Sequence, residues 1–334
     1  MNEALIRKIA DRVVDGHDTE WGMDIEHFDW VPGVGLFGIW EAYVKTKDQK
    51  YLEFLKAWAD RHLEEAYQQK TVNSTAPLLT VLLTYTETKN ERYLNVCCDL
   101  ADYVLNDAPR TVDGGLEHTV TEPVPGFSDQ CWADTLFMVC IFLTKLGKIT
   151  GEQKYVDFAV NQLKIHHRLL TDGKGLYFHG YNGAKKDHMS GIRWARANAW
   201  IIFSTMMILN DAGDFEGRSD IEKMVAAHVE ALARVQQPDG GFCTILDDNT
   251  SYVEISATAG IIAGVKMAVE AGLADKRYMA VYEKGITAVE NAVLEDGTVD
   301  MVSGGTPVMP DAQAYKDIPI IPALYGQGLA IAAL

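Results

Sequence analysis

Two kinds of helical segment alternate along this chain, and the alternation limits what it can build. One set carries a single apolar stripe: roughly 3–14, 50–66, 91–106, 153–169, 219–236 and 276–293. Between its members lie segments apolar nearly all round: 33–46, 76–88, 129–147, 198–211, 257–272 and 325–334. A helix with one apolar face lies at a surface, whereas one apolar on every side is covered on every side. Six of each, in strict alternation, predict an all-α (α/α)6 barrel, an inner ring of helices wrapped by an outer ring. A local pattern of charged turn, tyrosine and amphipathic helix supports this. It recurs around Tyr51, Tyr93 and Tyr155, with a fainter copy at Tyr278. A period near 40 residues marks a stacked or circular array of helix pairs. An open two-layer solenoid would use the same pairs. Glycines and aromatics gathered at the inner-helix starts favour a closed ring with a mouth on that side.

The chain is 334 residues long with no Pro/Ser/Gly-rich linker, so it reads as one domain over 1–334. The opening MNEALIRKIADRVV lacks the layout of a signal peptide, and no apolar run approaches the ~20 residues of a membrane span. Five cysteines without metal-type spacing read as free thiols in a reducing compartment, hence a cytoplasmic protein. A net charge of −17 argues against nucleic acid and against a long polyanionic chain as partner. It leaves room for one carboxylate held by a local arginine, because salt screens distant charge beyond ~10 Å. A monomer or a homodimer is expected.

Helices that start at one rim line one cavity with their first residues. The candidates are Trp30, Asn73, Asp129, Trp132, Asp134, Trp194, Arg196, Asn198, Trp200 and Ser256. Pyranose faces stack on tryptophan, and arginine binds a carboxylate through two parallel hydrogen bonds, so the set suits a sugar acid. Asp134, read as one turn inside an apolar helix, would have its pKa raised by desolvation, which suits a proton donor. Capping or bonding a neighbouring loop is the plainer use of such an Asp. His118 and His179 each end a glycine-containing extended segment and suit either a site or a backbone contact. Arg196 and Trp200, four residues apart in a helix, share a face. His166 and His167 read as solvated residues of an outer helix, and Gly304-Gly305 as an ordinary turn. No dinucleotide loop, Ser-centred elbow or H-E-x-x-H motif is present.

In order along the chain stand Trp30-Val31-Pro32-Gly33, Asn73-Ser74-Thr75-Ala76-Pro77, Gly114-Gly115-Leu116-Glu117-His118, Trp132-Ala133-Asp134-Thr135-Leu136, His179-Gly180, Trp194-Ala195-Arg196-Ala197-Asn198-Ala199-Trp200 and Val253-Glu254-Ile255-Ser256. Together they resemble the unsaturated rhamnogalacturonyl hydrolases of glycoside hydrolase family 105, over nearly the whole chain. The resemblance implies an (α/α)6 barrel and a reaction free of metal and cofactor. Its substrate would be a small oligosaccharide ending in a 4,5-unsaturated uronate. Asp134 would protonate C4 and then help water attack C5. His118, His179 and Asn73 would contact the substrate, Arg196 and Trp200 would hold the unsaturated sugar, and Trp194 and Trp132 would wall it. Some relatives place a second carboxylate near the start of the second inner helix; here Asn73 stands in that region with no acid beside it. Three other readings compete: a sugar 2-epimerase using His118 and His179 across the cavity, a polysaccharide lyase, and a non-catalytic carbohydrate-binding toroid.

Overall fold

The computed structural model describes residues 2–16, 18–122 and 126–334. The amphipathic helices are α1 (Glu3–Val14), α3 (Gln49–His62), α5 (Glu91–Asn106), α7 (Gln153–Leu170), α9 (Arg218–Val235) and α11 (Met279–Asn291). The apolar ones are α2 (Trp30–Thr46), α4 (Val72–Thr88), α6 (Ile141–Thr150, entered through a π-helical turn over Leu136–Cys140), α8 (Ala195–Asp211), α10 (Ile255–Glu270) and α13 (Leu324–Ala333). Each apolar helix packs on the next, and α13 packs on α2, which closes the ring; the amphipathic helices lie outside it. A short helix α12 (Ala312–Lys316) and two three-residue strands, β1 (Gln130–Trp132) and β2 (Gly180–Asn182), lie among the connections.

The repeated tyrosine has a physical reason. Helices α2, α4 and α6 end on left-handed residues, Lys47, Lys89 and Gly151, and the next outer helix begins within two residues. Asp48 and Asn90 cap those starts through their side chains. One turn on, Tyr51 donates to Asp11 at 2.7 Å, Tyr93 to Asp60 at 2.8 Å and Tyr155 to Asp102 at 2.9 Å. Each of these aspartates sits on the preceding outer helix, so the outer ring is stitched from one member to the next. The fainter copy departs from the pattern: the Tyr278 hydroxyl accepts from the adjacent Arg277.

The turns from inner to outer helix are short, whereas the returns are long: 107–135, 171–194, 236–254 and 292–323 lie between an outer helix and the next inner one. Nearly all of the irregular chain therefore collects at the rim where inner helices begin. One expected boundary moves for that reason. Helix 129–147 does not start at 129, because Gln130–Trp132 is engaged in an antiparallel pair with β2. The helix begins only after Asp134, whose carbonyl accepts from Phe137 and Met138. Asp129 takes a left-handed conformation and accepts from the Val112 backbone N–H at 2.7 Å, which makes it a turn anchor.

Where α13 crosses α2, backbone meets backbone. A Cβ on Gly328 would run into the Val34 carbonyl, and one on Gly38 into Gly328. Gly328→Ala should therefore destabilise the fold by about 2–3 kcal/mol, read as a lower midpoint in urea; an unchanged midpoint would show that the crossing is looser than described.

Candidate active site

Three extended segments lie side by side at the rim and carry the polar groups. The His118 N–H donates to the Gln130 carbonyl at 2.8 Å, and Ala133 N–H to the His179 carbonyl at 3.0 Å. Strand β1 thus holds His118 on one side and His179 on the other, and delivers Asp134 between them as the chain turns into the π segment. Such π turns often occur at functional sites. His179 Nε2 lies 3.4 Å from Asp134 Oδ2, and His179 Nδ1 is 2.7 Å from the Tyr315 hydroxyl. His118 stacks on Trp132 with ring centres 4.0 Å apart and planes 12° from parallel.

A cavity of about 240 Å³ opens above these groups. Its size fits one sugar ring better than the ~300–1,000 Å³ pockets of larger ligands. Asn73, His118, Trp132, Asp134, Trp194 and Arg196 line it, as the sequence leads one to expect, together with Trp30. The Asp134 side chain is 14% exposed and forms part of the cavity wall. One wall is an aromatic ladder. Trp21 meets Trp30 edge-on at 6.0 Å, and Trp30 stacks on Tyr325 at 4.9 Å. The Arg196 guanidinium lies over both Tyr325 and Trp194.

Several expectations need correction. Trp200 is 0% exposed and packs against Phe137, outside the cavity. One turn beyond Arg196, it lies deeper along the barrel axis and belongs to the core. Arg196 is not free to clamp a carboxylate with its two terminal nitrogens. Nη1 donates to Ser303 O at 3.0 Å and Ser303 Oγ at 2.8 Å, and Nη2 to Gly304 O at 2.8 Å, while Glu254 sits 3.8 Å away. Arg196 therefore fixes the 303–305 segment, and Gly305 forms cavity wall instead of an idle turn. Ser256 is fully buried, bonded to Glu254, and Asn198 holds the Tyr177 backbone; neither lines the cavity.

His166 and His167 are buried. The C-terminal half of α7 is covered by the rim segments, so these residues face inward. His166 Nδ1 donates to the Gln162 carbonyl at 2.7 Å, while His167 bridges Tyr177 Oη at 2.7 Å and Thr205 Oγ1 at 2.9 Å.

The Asp134 pKa also departs from expectation. Desolvation is the largest influence and pushes it up, but the His179 imidazole beside it, with His118 and the Arg196 guanidinium, outweighs burial and holds it below the ordinary carboxylate value. His118 is pushed down to about 4 by burial, and His179 is lowered for the same reason.

Sequence reasoning missed Trp21, Val120, Glu122, Phe127, Thr306 and Pro307 in the lining. Trp21, 48% exposed within a charged loop, was the one with a visible signal. Among the described residues, no group of three His, Cys, Asp or Glu is placed to hold a metal ion, and no helix is long and apolar enough to cross a membrane.

Aromatic walls around a small cavity with a carboxylate among them, set at the open rim of a helical toroid, suit a carbohydrate-active enzyme. The chain belongs to Glycosyl Hydrolase Family 88, whose model matches residues 5–334. It is 34% identical to the unsaturated rhamnogalacturonyl hydrolase YesR of Bacillus subtilis, over 100% of this chain and 95% of the relative. A crystal structure from Salmonella enterica, described as a possible member of family GH105, superposes with a TM-score of 0.92 at 31% identity, covering 99% of this chain and 92% of that one. The unsaturated glucuronyl hydrolase of Bacillus sp. GL1 shares the fold, with a TM-score of 0.79 at 16% identity over 99% and 94% of the two chains. The (α/α)6 barrel and the resemblance read from the motifs are borne out, and the chain is a glycoside hydrolase.

The buried histidines make a pH prediction. His118 and His166 titrate at about 4 and His167 at about 3 in the folded chain, against ~6.5 when unfolded. Their share of stability is full above pH 6.5. Below it the unfolded chain takes up protons that the fold refuses, so stability falls toward pH 4 by about 1.4 kcal/mol per pH unit for each histidine. Urea midpoints measured from pH 7 to 4.5 should drop steeply, and less so for His167→Gln; a flat profile would contradict the neutral, buried assignment.

Proposed function

We propose that the chain removes a 4,5-unsaturated uronic acid, galacturonyl in type, from the non-reducing end of short rhamnogalacturonan-type oligosaccharides by hydrating the double bond. The carrying observation is Asp134, a carboxylate on the cavity wall with one oxygen 3.4 Å from His179 Nε2. A single carboxylate suffices because the substrate is an enol ether. Asp134 gives its proton to C4, and the π electrons of C4=C5 form the new C–H bond. The cation at C5 is shared with the ring oxygen, water adds to C5, and its proton returns to Asp134. The C5 hemiketal then opens by breaking the C5–O bond of the ring, leaving a ketone at C5. This turns C1 into a hemiacetal that expels the neighbouring sugar as an alcohol. The net change is the addition of one water, without direct displacement at the glycosidic bond.

The lowered pKa of free Asp134 fits this scheme once the substrate is bound. The uronate carboxylate enters beside Asp134 and the ring expels water, and both effects raise the pKa of the acid. His118 and Asn73 lie where ring hydroxyls would be held. Trp132 and Trp194 wall the uronate ring, and Arg196 supports that wall from behind. Trp21, at the open end of the aromatic ladder, is placed to stack on the leaving sugar. The epimerase reading, with histidines facing across the cavity, is disfavoured because both His118 and His179 pack on Trp132 and His179 is not part of the lining. The five free cysteines support a reducing, cytoplasmic setting, with the chain acting as a single catalytic unit.

Incubation with lyase-digested rhamnogalacturonan should abolish the ultraviolet absorbance of the conjugated double bond, and Asp134→Asn should lower that rate by at least about a thousandfold. A flat trace with the unaltered chain on unsaturated galacturonides and glucuronides alike would sink the reading. Trp21→Ala should cut kcat/KM about tenfold on the disaccharide, the equivalent of 1.4 kcal/mol. It should leave the unsaturated methyl uronide unaffected, and equal losses on both would remove Trp21 from the leaving-sugar side.

A further inference from the structure

We propose that Tyr315 is a positioning residue that locks the His179 imidazole in the tautomer carrying its proton on Nε2, so that this proton is offered to Asp134. The inference rests on the hydrolase reading for its catalytic meaning, but its geometry stands alone. Tyr315 is fully buried on α12, in the long return between α11 and α13, and does not line the cavity. Its hydroxyl oxygen accepts from the Met309 backbone N–H at 3.2 Å, while its own proton has His179 Nδ1 at 2.7 Å. A neutral imidazole that accepts at Nδ1 carries its hydrogen on Nε2. That nitrogen faces Asp134 Oδ2 at 3.4 Å. In the other tautomer Nδ1–H would donate to the phenol oxygen, the phenol proton would have to turn away from the ring, and two lone pairs would face each other across the Nε2–Oδ2 gap. The Asp134 end of the ring therefore disfavours that tautomer, and the Tyr315 hydroxyl supplies Nδ1 with a donor in the other.

The ring is held in that orientation. Trp194 lies 4.1 Å from it and Trp132 5.4 Å. The charged and titratable groups that face the pair are Arg196, with its partner Glu254, His118 and His166. None of them hydrogen-bonds a ring nitrogen of His179. The consequence for Asp134 is an asymmetry between its oxygens. Oδ2 is the oxygen that faces Nε2–H, at 3.4 Å, which leaves Oδ1 to carry the transferable proton. When that proton moves to C4, the carboxylate left behind already has its donor in place, with no reorientation needed.

The test combines a tautomer measurement with kinetics on the full chain. With 15N-labelled histidine, the His179 signals of the unaltered protein should show Nδ1 as acceptor and Nε2 protonated, and Tyr315→Phe should shift them toward a mixture. In Tyr315→Phe, kcat on the unsaturated disaccharide should fall about tenfold with KM within about twofold. The high-pH limb of kcat/KM should move upward, because Asp134 loses its donor. In a His179→Gln background, whose amide can donate whatever Tyr315 does, Tyr315→Phe should change kcat less than twofold. A proton found on Nδ1 of His179 in the unaltered protein would overturn the proposal without any variant. So would a Tyr315→Phe protein whose His179 signals and pH profile stay in place, whatever happens to its kcat. If the unaltered chain acts on no unsaturated uronide, the hydrolase reading fails while the nitrogen signals still decide the tautomer.

Discussion

Ring closure between α13 and α2 sets the distances on which the site depends. At that crossing Gly38 and Gly328 let two backbones touch, so the last helix seats against the first and the inner ring acquires a fixed diameter. The starts of α4, α8 and α10 then sit at set positions around one rim. The short turns at the other rim, fixed by Lys47, Lys89 and Gly151, leave the chain length to accumulate where the cavity forms. The cavity is thus a product of unequal connections on a closed ring. Its walls combine inner-helix starts with loop residues, some of them held by inner-helix side chains, as Arg196 holds the 303–304 backbone.

Within that frame the electrostatics centre on one carboxylate. The net charge of −17 would repel an acidic sugar at long range. Inside the rim, the Arg196 guanidinium and the His179 imidazole beside Asp134 offset this, and the free carboxylate is kept ionised despite its burial. The same burial keeps His118 neutral and so able to offer or accept a hydrogen bond. Two neutral imidazoles and an ionised acid carry less like charge into the cavity than a pair of carboxylates would. That suits a substrate bringing its own negative charge and needing only one acid.

Much of the architecture was legible because its signals are repetitive. All-round hydrophobicity marks α2, α4, α8, α10 and α13, and the recurring tyrosine marks a bond to an aspartate one outer helix back. The start of α6 was misread because the apolar run through Trp132 and Leu136 does not reveal that Gln130–Trp132 pairs with Gly180–Asn182, an interaction nearly 50 residues away along the chain. The depth of Trp200 and the inward face of His166 and His167 were hidden for a similar reason. Helical spacing says which residues share a face, not what covers it. Most cavity residues that belong to motifs at inner-helix starts were found. Loop residues outside those motifs, such as Trp21 and Pro307, were not, since a loop's destination has no periodicity to read. The pKa of Asp134 was misjudged because burial was visible in its neighbours while the groups that oppose it, His179 and Arg196, come from distant parts of the chain.

The central claim is that the glycosidic bond is lost as a consequence of adding water across C4=C5. Turnover of an unsaturated rhamnogalacturonan disaccharide in D2O, followed by proton NMR at early times, tests it most directly. The account predicts that the freed sugar appears together with a uronate product carrying one deuterium at C4 on a single face. Release of the neighbouring sugar with the C4=C5 bond intact and no deuterium at C4 would contradict it.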